Sequence, residues 1–137
     1  MKIEYRVNEA VTVDEFIQVL NRSELGERRP VHDRECISGM LNNCNLIVTA
    51  RSGGGLVGVA RSVTDFHYAC YLSDLAVDKE YQGLGIGIEL QRLTQAKLGQ
   101  HCKLILIAAP KANEYYPKIG YVNNKNCWLV GKNQKIG

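Results

Sequence analysis

The spacing of apolar and polar residues changes several times along the chain, and each change marks an element. Residues 2–7 alternate, with Ile3, Tyr5 and Val7 on one face and Lys2, Glu4 and Arg6 on the other, which predicts a half-buried strand. Thr12 followed three residues later by Glu15 is a capping-box signature. Val13, Phe16, Ile17 and Leu20 then recur at helical spacing, predicting a helix over roughly 12–21. Glycine, charge and proline from Ser23 to Asp33 predict a loop, and Asp33 caps a second short helix bearing Cys36, Ile37, Met40 and Leu41. Leu46–Ala50 reads as a strand, Ser52–Gly55 as a turn and Leu56–Val63 as the return strand. With Tyr71–Val77 these make an antiparallel meander.

The chain is organised around the stretch that follows. The apolar strand Tyr71–Val77 leads into the polar turn Asp78–Tyr81, then Gln82-Gly83-Leu84-Gly85-Ile86-Gly87, then a helical stretch towards Leu98. Glycines at every second position leave no Cβ atoms over the loop, so a ligand can approach the backbone. The loop opens a helix, whose first N–H groups lack intrahelical partners and carry the positive end of the dipole. That combination suits an anion, most naturally phosphate. A Walker loop would need Gly-Lys-Ser/Thr, but Ile88 and Glu89 follow Gly87. A dinucleotide fingerprint would need G-x-G-x-x-G early in a βαβ unit. The spacing here is G-x-G-x-G and lies past the middle of the chain. A loop with no ligand is the plain alternative.

After the helix, the apolar run Lys103–Ala109 predicts a strand buried on both faces, parallel to the central one through a right-handed crossover. Pro117 restricts the next helix to a short or kinked one, or occupies its first turn. Gly120 suits a left-handed stop, and a last strand is expected around Cys127–Val130. No repeat, low-complexity stretch or linker divides the sequence, so residues 1–137 are expected to form one domain.

Composition narrows the function classes. The net charge of +3 over 137 residues, without a basic run interleaved with aromatics, argues against nucleic acid. Five widely spaced cysteines and three isolated histidines offer no metal set. They fit a reducing compartment, and with no signal-like or membrane-spanning apolar run the expected setting is cytoplasmic.

Gln82-x-x-Gly85-x-Gly87 after a strand ending Leu-Ala-Val resembles the acetyl-CoA loop of the GNAT N-acetyltransferase superfamily, Arg/Gln-x-x-Gly-x-Gly/Ala. A second segment, with Ala112, Tyr115, Tyr116, Gly120 and Tyr121, resembles that family's Ala-x-x-Phe-Tyr-x-x-x-Gly-Phe pattern. The order of elements is similar over nearly the whole chain. The resemblance implies an α/β (α+β) GNAT fold: a mixed, mostly antiparallel central sheet with a splayed parallel strand pair, flanked by about four helices. It implies an acetyl-CoA-dependent N-acetyltransferase acting by direct attack of a primary amine on the thioester. It also implies pantetheine pairing with the backbone of Leu75, Ala76 and Val77. Pyrophosphate would lie on Gln82, Gly83, Leu84, Gly85, Ile86 and Gly87, with Tyr116 as general acid to the departing thiolate. The family often homodimerises. Arg28 and Arg29 are candidates for an acidic group on a small-molecule amine acceptor.

Two departures are visible. The cofactor-contacting asparagine seven residues before the tyrosine is replaced by Ala109, so that contact is not carried over. The glutamate base of histone-type members is replaced by Tyr71, a poor base at neutral pH. Alternation puts Asp74 on the face opposite Tyr71, Ser73 and Leu75, favouring a structural role over that of base unless a bulge re-aims it. An idle acyl-CoA-binding sensor or regulatory module is the alternative function.

Overall fold

The computed structural model describes residues 2–137. Its contacts divide the chain into two compact units, the first ending at Leu106 and the second running Ile107–Gly137. The first holds strands β1 (Ile3–Val7), β2 (Leu46–Ser52), β3 (Gly55–Thr64), β4 (Ala69–Val77) and β5 (Lys103–Ile105), with helices α1 (Val13–Arg22), α2 (Arg34–Asn43) and α3 (Ile86–Gln95). The second holds the 3-10 turn Pro110–Ala112 and the four-residue helix α4 (Tyr115–Lys118).

The strands form one sheet in sequence order, antiparallel throughout except for the parallel β4–β5 pair. The mixed sheet with a parallel pair and four helices is the architecture expected from the sequence. One face packs Phe16, Val19 and Leu20 of α1 and Ile37 of α2 against Ile47, Leu56, Val59 and Ala76. The other packs Ile86 and Leu90 of α3 against Val48, Ala50, Val57, Ala60 and Leu72. β2 is buried along 46–50, as a central strand covered on both faces must be.

Local chemistry fixes where these helices start. Thr12 accepts from the Glu15 N–H at 3.1 Å and donates its own N–H to Glu15 at 3.1 Å, closing the capping box. Glu15 also takes Arg51 of β2 at 2.5 Å, and the same guanidinium reaches Glu9 at 2.6 Å, binding the β1–α1 connection to the sheet. Asp33 caps α2 through the Cys36 N–H at 3.0 Å. α3 lies close to the sheet because β3 presents Gly58, where a Cβ would come within 3.1 Å of Leu90 and 3.2 Å of Ile86. Leu90 is fully buried. Leu90→Ala is expected to cost about 2–5 kcal/mol of stability, read as a lower urea midpoint at unchanged slope.

Two strand expectations are corrected. The run Lys103–Ala109 is a strand only over Lys103–Ile105, and Ile105 and Ile107 are each 45% exposed. β5 ends the sheet, with β4 as its one neighbour among the described residues, and none of its three side chains is fully buried, so it is not enclosed on both faces. Residues 127–130 form no strand, and Trp128 is 87% exposed. Strand-like composition needs a partner ladder, and among the described residues no segment pairs with this one. Within the second unit, Tyr116 stacks edge-on with Tyr115 at 5.1 Å and with Tyr121 at 5.3 Å between ring centres. Pro117 lies in the first turn of α4, and Gly120, at φ +110°, follows its end, both as the sequence suggested.

Candidate active site

β4 and β5 pair only at Ala69–Lys103, Cys70–Leu104 and Tyr71–Ile105. Beyond Tyr71, β4 runs on through Val77 with no strand on that side among the described residues, while β3 stays hydrogen-bonded on the other. This is the splay of a parallel pair. Over Leu75, Ala76 and Val77 β4 therefore has no ladder partner on that side, an edge of the kind an extended ligand can join, although the Val77 carbonyl already accepts from the Gln82 side chain. The side chains of these residues are held inward: Ala76 lies in the α1/α2 core, and Leu75 and Val77 pack on the α3 side.

At the end of β4 the buried Asp78 accepts from the Glu80 N–H at 2.9 Å, forming the 3-10 turn Lys79–Tyr81. Gln82 folds back and donates its side-chain amide to the Val77 carbonyl at 2.9 Å, tying the loop to the strand. Gly83 and Gly85 have φ of +80° and +83°, and a Cβ on either would meet no atom within 4 Å. Their conformation needs glycine, and the space above them is open. Gly87 differs, since a Cβ there would touch Val77 at 3.7 Å. Leu84 points outward while Ile86 is buried and anchors α3. The first turn of α3 closes from the Glu89 N–H to the Gly85 carbonyl at 3.1 Å. The N–H groups of Ile86, Gly87 and Ile88 therefore have no acceptor inside the helix. A Cβ-free cradle, a helix start and an open strand edge together fit a phosphate-bearing ligand with an extended amide arm.

A cavity of about 600 Å³ opens between the end of α1, the β2–β3 turn and Lys79–Tyr81. None of residues 82–87 lines it, and its charged lining of Arg22, Lys79, Asp78 and Glu80 sums to zero, so it shows no anion preference.

The other face of β4 carries a feature the sequence pattern did not show. Arg61 faces Asp74 and Ser62 faces Leu72, so Ser73 has no partner on β3 and forms a bulge. Residues directly opposite on neighbouring strands share a face. Val63 faces Tyr71 and Arg61 faces Asp74, and Val63 and Arg61 are two apart on β3. Tyr71 and Asp74 thus lie on the same side, correcting the expectation from simple alternation. Asp74 is fully buried, with Arg29 donating to one carboxylate oxygen and Arg61 to the other, the latter at 2.5 Å. Arg29 also donates to the Ser73 carbonyl at 2.7 Å and to the Arg28 carbonyl at 2.9 Å. Arg61 reaches the Met40 carbonyl of α2 at 3.2 Å. Arg29, expected to face an acceptor, is instead engaged inside the fold, whereas Arg28 is exposed.

Tyr116 belongs to the second unit and is partly buried. Burial and then the adjacent Tyr115 push its phenol above the usual tyrosine value. Among the described residues no cluster of three or more His, Cys, Asp or Glu could hold a metal, and no helix is long and apolar enough to cross a membrane.

Residues 14–127 match the family described as the acetyltransferase (GNAT) domain, most of the chain and both of its motif regions. The chain belongs to the GNAT acetyltransferase family. Its fold is similar to that of a GNAT family acetyltransferase from Streptococcus pneumoniae, with a TM-score of 0.77, 19% identity and coverage of 96% of this chain and 99% of that one. It is also similar to a predicted acetyltransferase from Clostridium acetobutylicum solved with acetyl-CoA, with a TM-score of 0.69, 15% identity and coverage of 95% and 96%. An uncharacterized N-acetyltransferase of Porphyra purpurea is 28% identical over 82 residues, 58% of this chain and 47% of that protein. The match thus spans about half the length of that relative.

Proposed function

We propose that this GNAT protein is an acetyl-CoA-dependent N-acetyltransferase that acetylates a primary amine on a small molecule. The observation carrying the reading is the conjunction of the open cradle at Gly83 and Gly85 with the unpaired edge of β4, on a chain of the GNAT family. The backbone N–H groups of residues 82–87 hold the pyrophosphate, with the glycines leaving room for its oxygens. The backbone of Leu75, Ala76 and Val77 takes the amide groups of the pantetheine arm as a missing strand would. Acetyl-CoA supplies an activated acyl group as a thioester. Tyr116 gives its phenolic proton to the sulfur as the carbon–sulfur bond breaks, and is reprotonated from solvent. The amine loses its proton to water, since Asp74 has both oxygens engaged by arginine and no contact with solvent. Arg28 is the cation left to attract an acidic acceptor.

Both structural units are parts of one GNAT domain in this reading, because the family match runs through residue 106 without a break. A cytoplasmic setting accords with five free cysteines, and a homodimer is the proposed assembly.

The test is release of free CoA thiol from acetyl-CoA in the presence of primary amines, repeated with Tyr116→Phe. The expected loss in kcat is about a hundredfold, the lower range for removing a general acid, with acetyl-CoA affinity retained. The sign of the pH effect follows from the raised phenol. The protonated form is the active one, so the parent loses its rate only at a pH higher than an ordinary tyrosine would, and Tyr116→Phe lacks that limb. Acetyl-CoA binding without any transfer would instead identify an acyl-CoA sensor.

A further inference from the structure

The buried group Arg29–Asp74–Arg61 has no part in the chemistry just described. Ionised side chains out of water are retained at a desolvation cost, so their placement calls for a reason. Asp74 is the junction of three segments: the α1–α2 loop through Arg29, β3 through Arg61, and the carbonyl of Met40 in α2 through the second guanidinium. The Arg29 fork grips β4 twice, at the Asp74 carboxylate and at the Ser73 carbonyl, the residue of the bulge. Ser73 stands two residues past the last β4–β5 pair and two before Leu75. The grip therefore falls where β4 has lost its neighbour on one side and, at the bulge, its register on the other. A strand segment without ladder bonds on one edge is free to twist, and an outside clamp sets its pitch.

We propose that Arg29 is a positioning residue for the pantetheine arm: by clamping Asp74 and the Ser73 carbonyl, it fixes the free edge of β4 at 75–77 in the pitch that the arm's amides require. This rests on the acetyl-CoA reading above and adds a residue from the α1–α2 loop to the cofactor site. Arg29 itself touches no cofactor; it acts through β4.

The test compares two ligands by calorimetry on the full chain. Acetyl-CoA uses both the glycine loop and the β4 edge, whereas adenosine 3′,5′-bisphosphate has phosphates but no pantetheine. In Arg29→Ala, acetyl-CoA affinity is expected to fall about tenfold, the worth of one or two misaligned backbone hydrogen bonds, while the bisphosphate binds as in the parent. Arg29→Lys keeps the charge beside Asp74 but loses the fork on Ser73, and is expected to fall between the two. It also serves if Arg29→Ala fails to fold. Unchanged acetyl-CoA affinity in both variants, or equal weakening of both ligands, would overturn the clamp while leaving the cofactor site intact. A folded parent that binds no acetyl-CoA would overturn the cofactor site and the clamp together.

Discussion

Gly85→Glu is expected to abolish acetyl-CoA binding, with at least about a hundredfold loss in affinity, while the protein stays folded. At φ +83° a side chain strains the backbone by about 1 kcal/mol, which a protein of this size tolerates. A Cβ at this position meets no atom within 4 Å, so a side chain has room to start there. It enters the open space over the start of α3, and its carboxylate opposes the phosphate that the helix terminus would attract. Gly85→Ala separates the two causes. It carries the strain without the charge, and should weaken binding far less. Parent-like binding by Gly85→Glu would mean that the phosphates lie elsewhere.

Asp74→Ala carries the largest expected effect on stability, about 3–5 kcal/mol, read from urea unfolding. The variant leaves the Arg61 guanidinium, whose side chain is only 7% exposed, facing Arg29 without the carboxylate between them. The contrast is Arg34→Ala. Its ion pair with Asp14 has side chains 62% and 72% exposed, and its loss is expected to cost no more than about 1 kcal/mol. A loss below about 1 kcal/mol for Asp74→Ala would mean that the buried group does not hold the α1–α2 loop to the sheet.

The glycine loop was legible in the sequence because few residues tolerate its conformation. Gly83 and Gly85 sit at positive φ, and a requirement that local is written one residue at a time. The capping box of Thr12 and Glu15 was legible for the same reason. Asp74 was harder. Leu72, Asp74 and Ala76 are all buried, so burial alternates through the bulge as though it were absent. Only the layers they enter differ, Leu72 meeting α3 while Ala76 meets α1 and α2. Arg29 lies 45 positions from its partner, and a loop arginine reads alike whether it faces water or a buried carboxylate. Arg61 carried a weak signal, a lone charge inside the apolar run Leu56–Val63, which would have pointed to a buried anion. The C-terminal apolar runs form less strand than their composition suggests, because composition gives strand propensity but not the neighbour that a ladder requires.

The most direct test of the central claim is a calorimetric titration of the purified protein with acetyl-CoA, with dephospho-CoA and NAD as comparators. Saturable micromolar binding of acetyl-CoA, with NAD giving no comparable heat, is the result predicted by a phosphate cradle joined to an open strand edge. No heat from acetyl-CoA with a sample shown to be folded, or equal binding of NAD, would contradict it, and the proposed transfer chemistry would fall with the site.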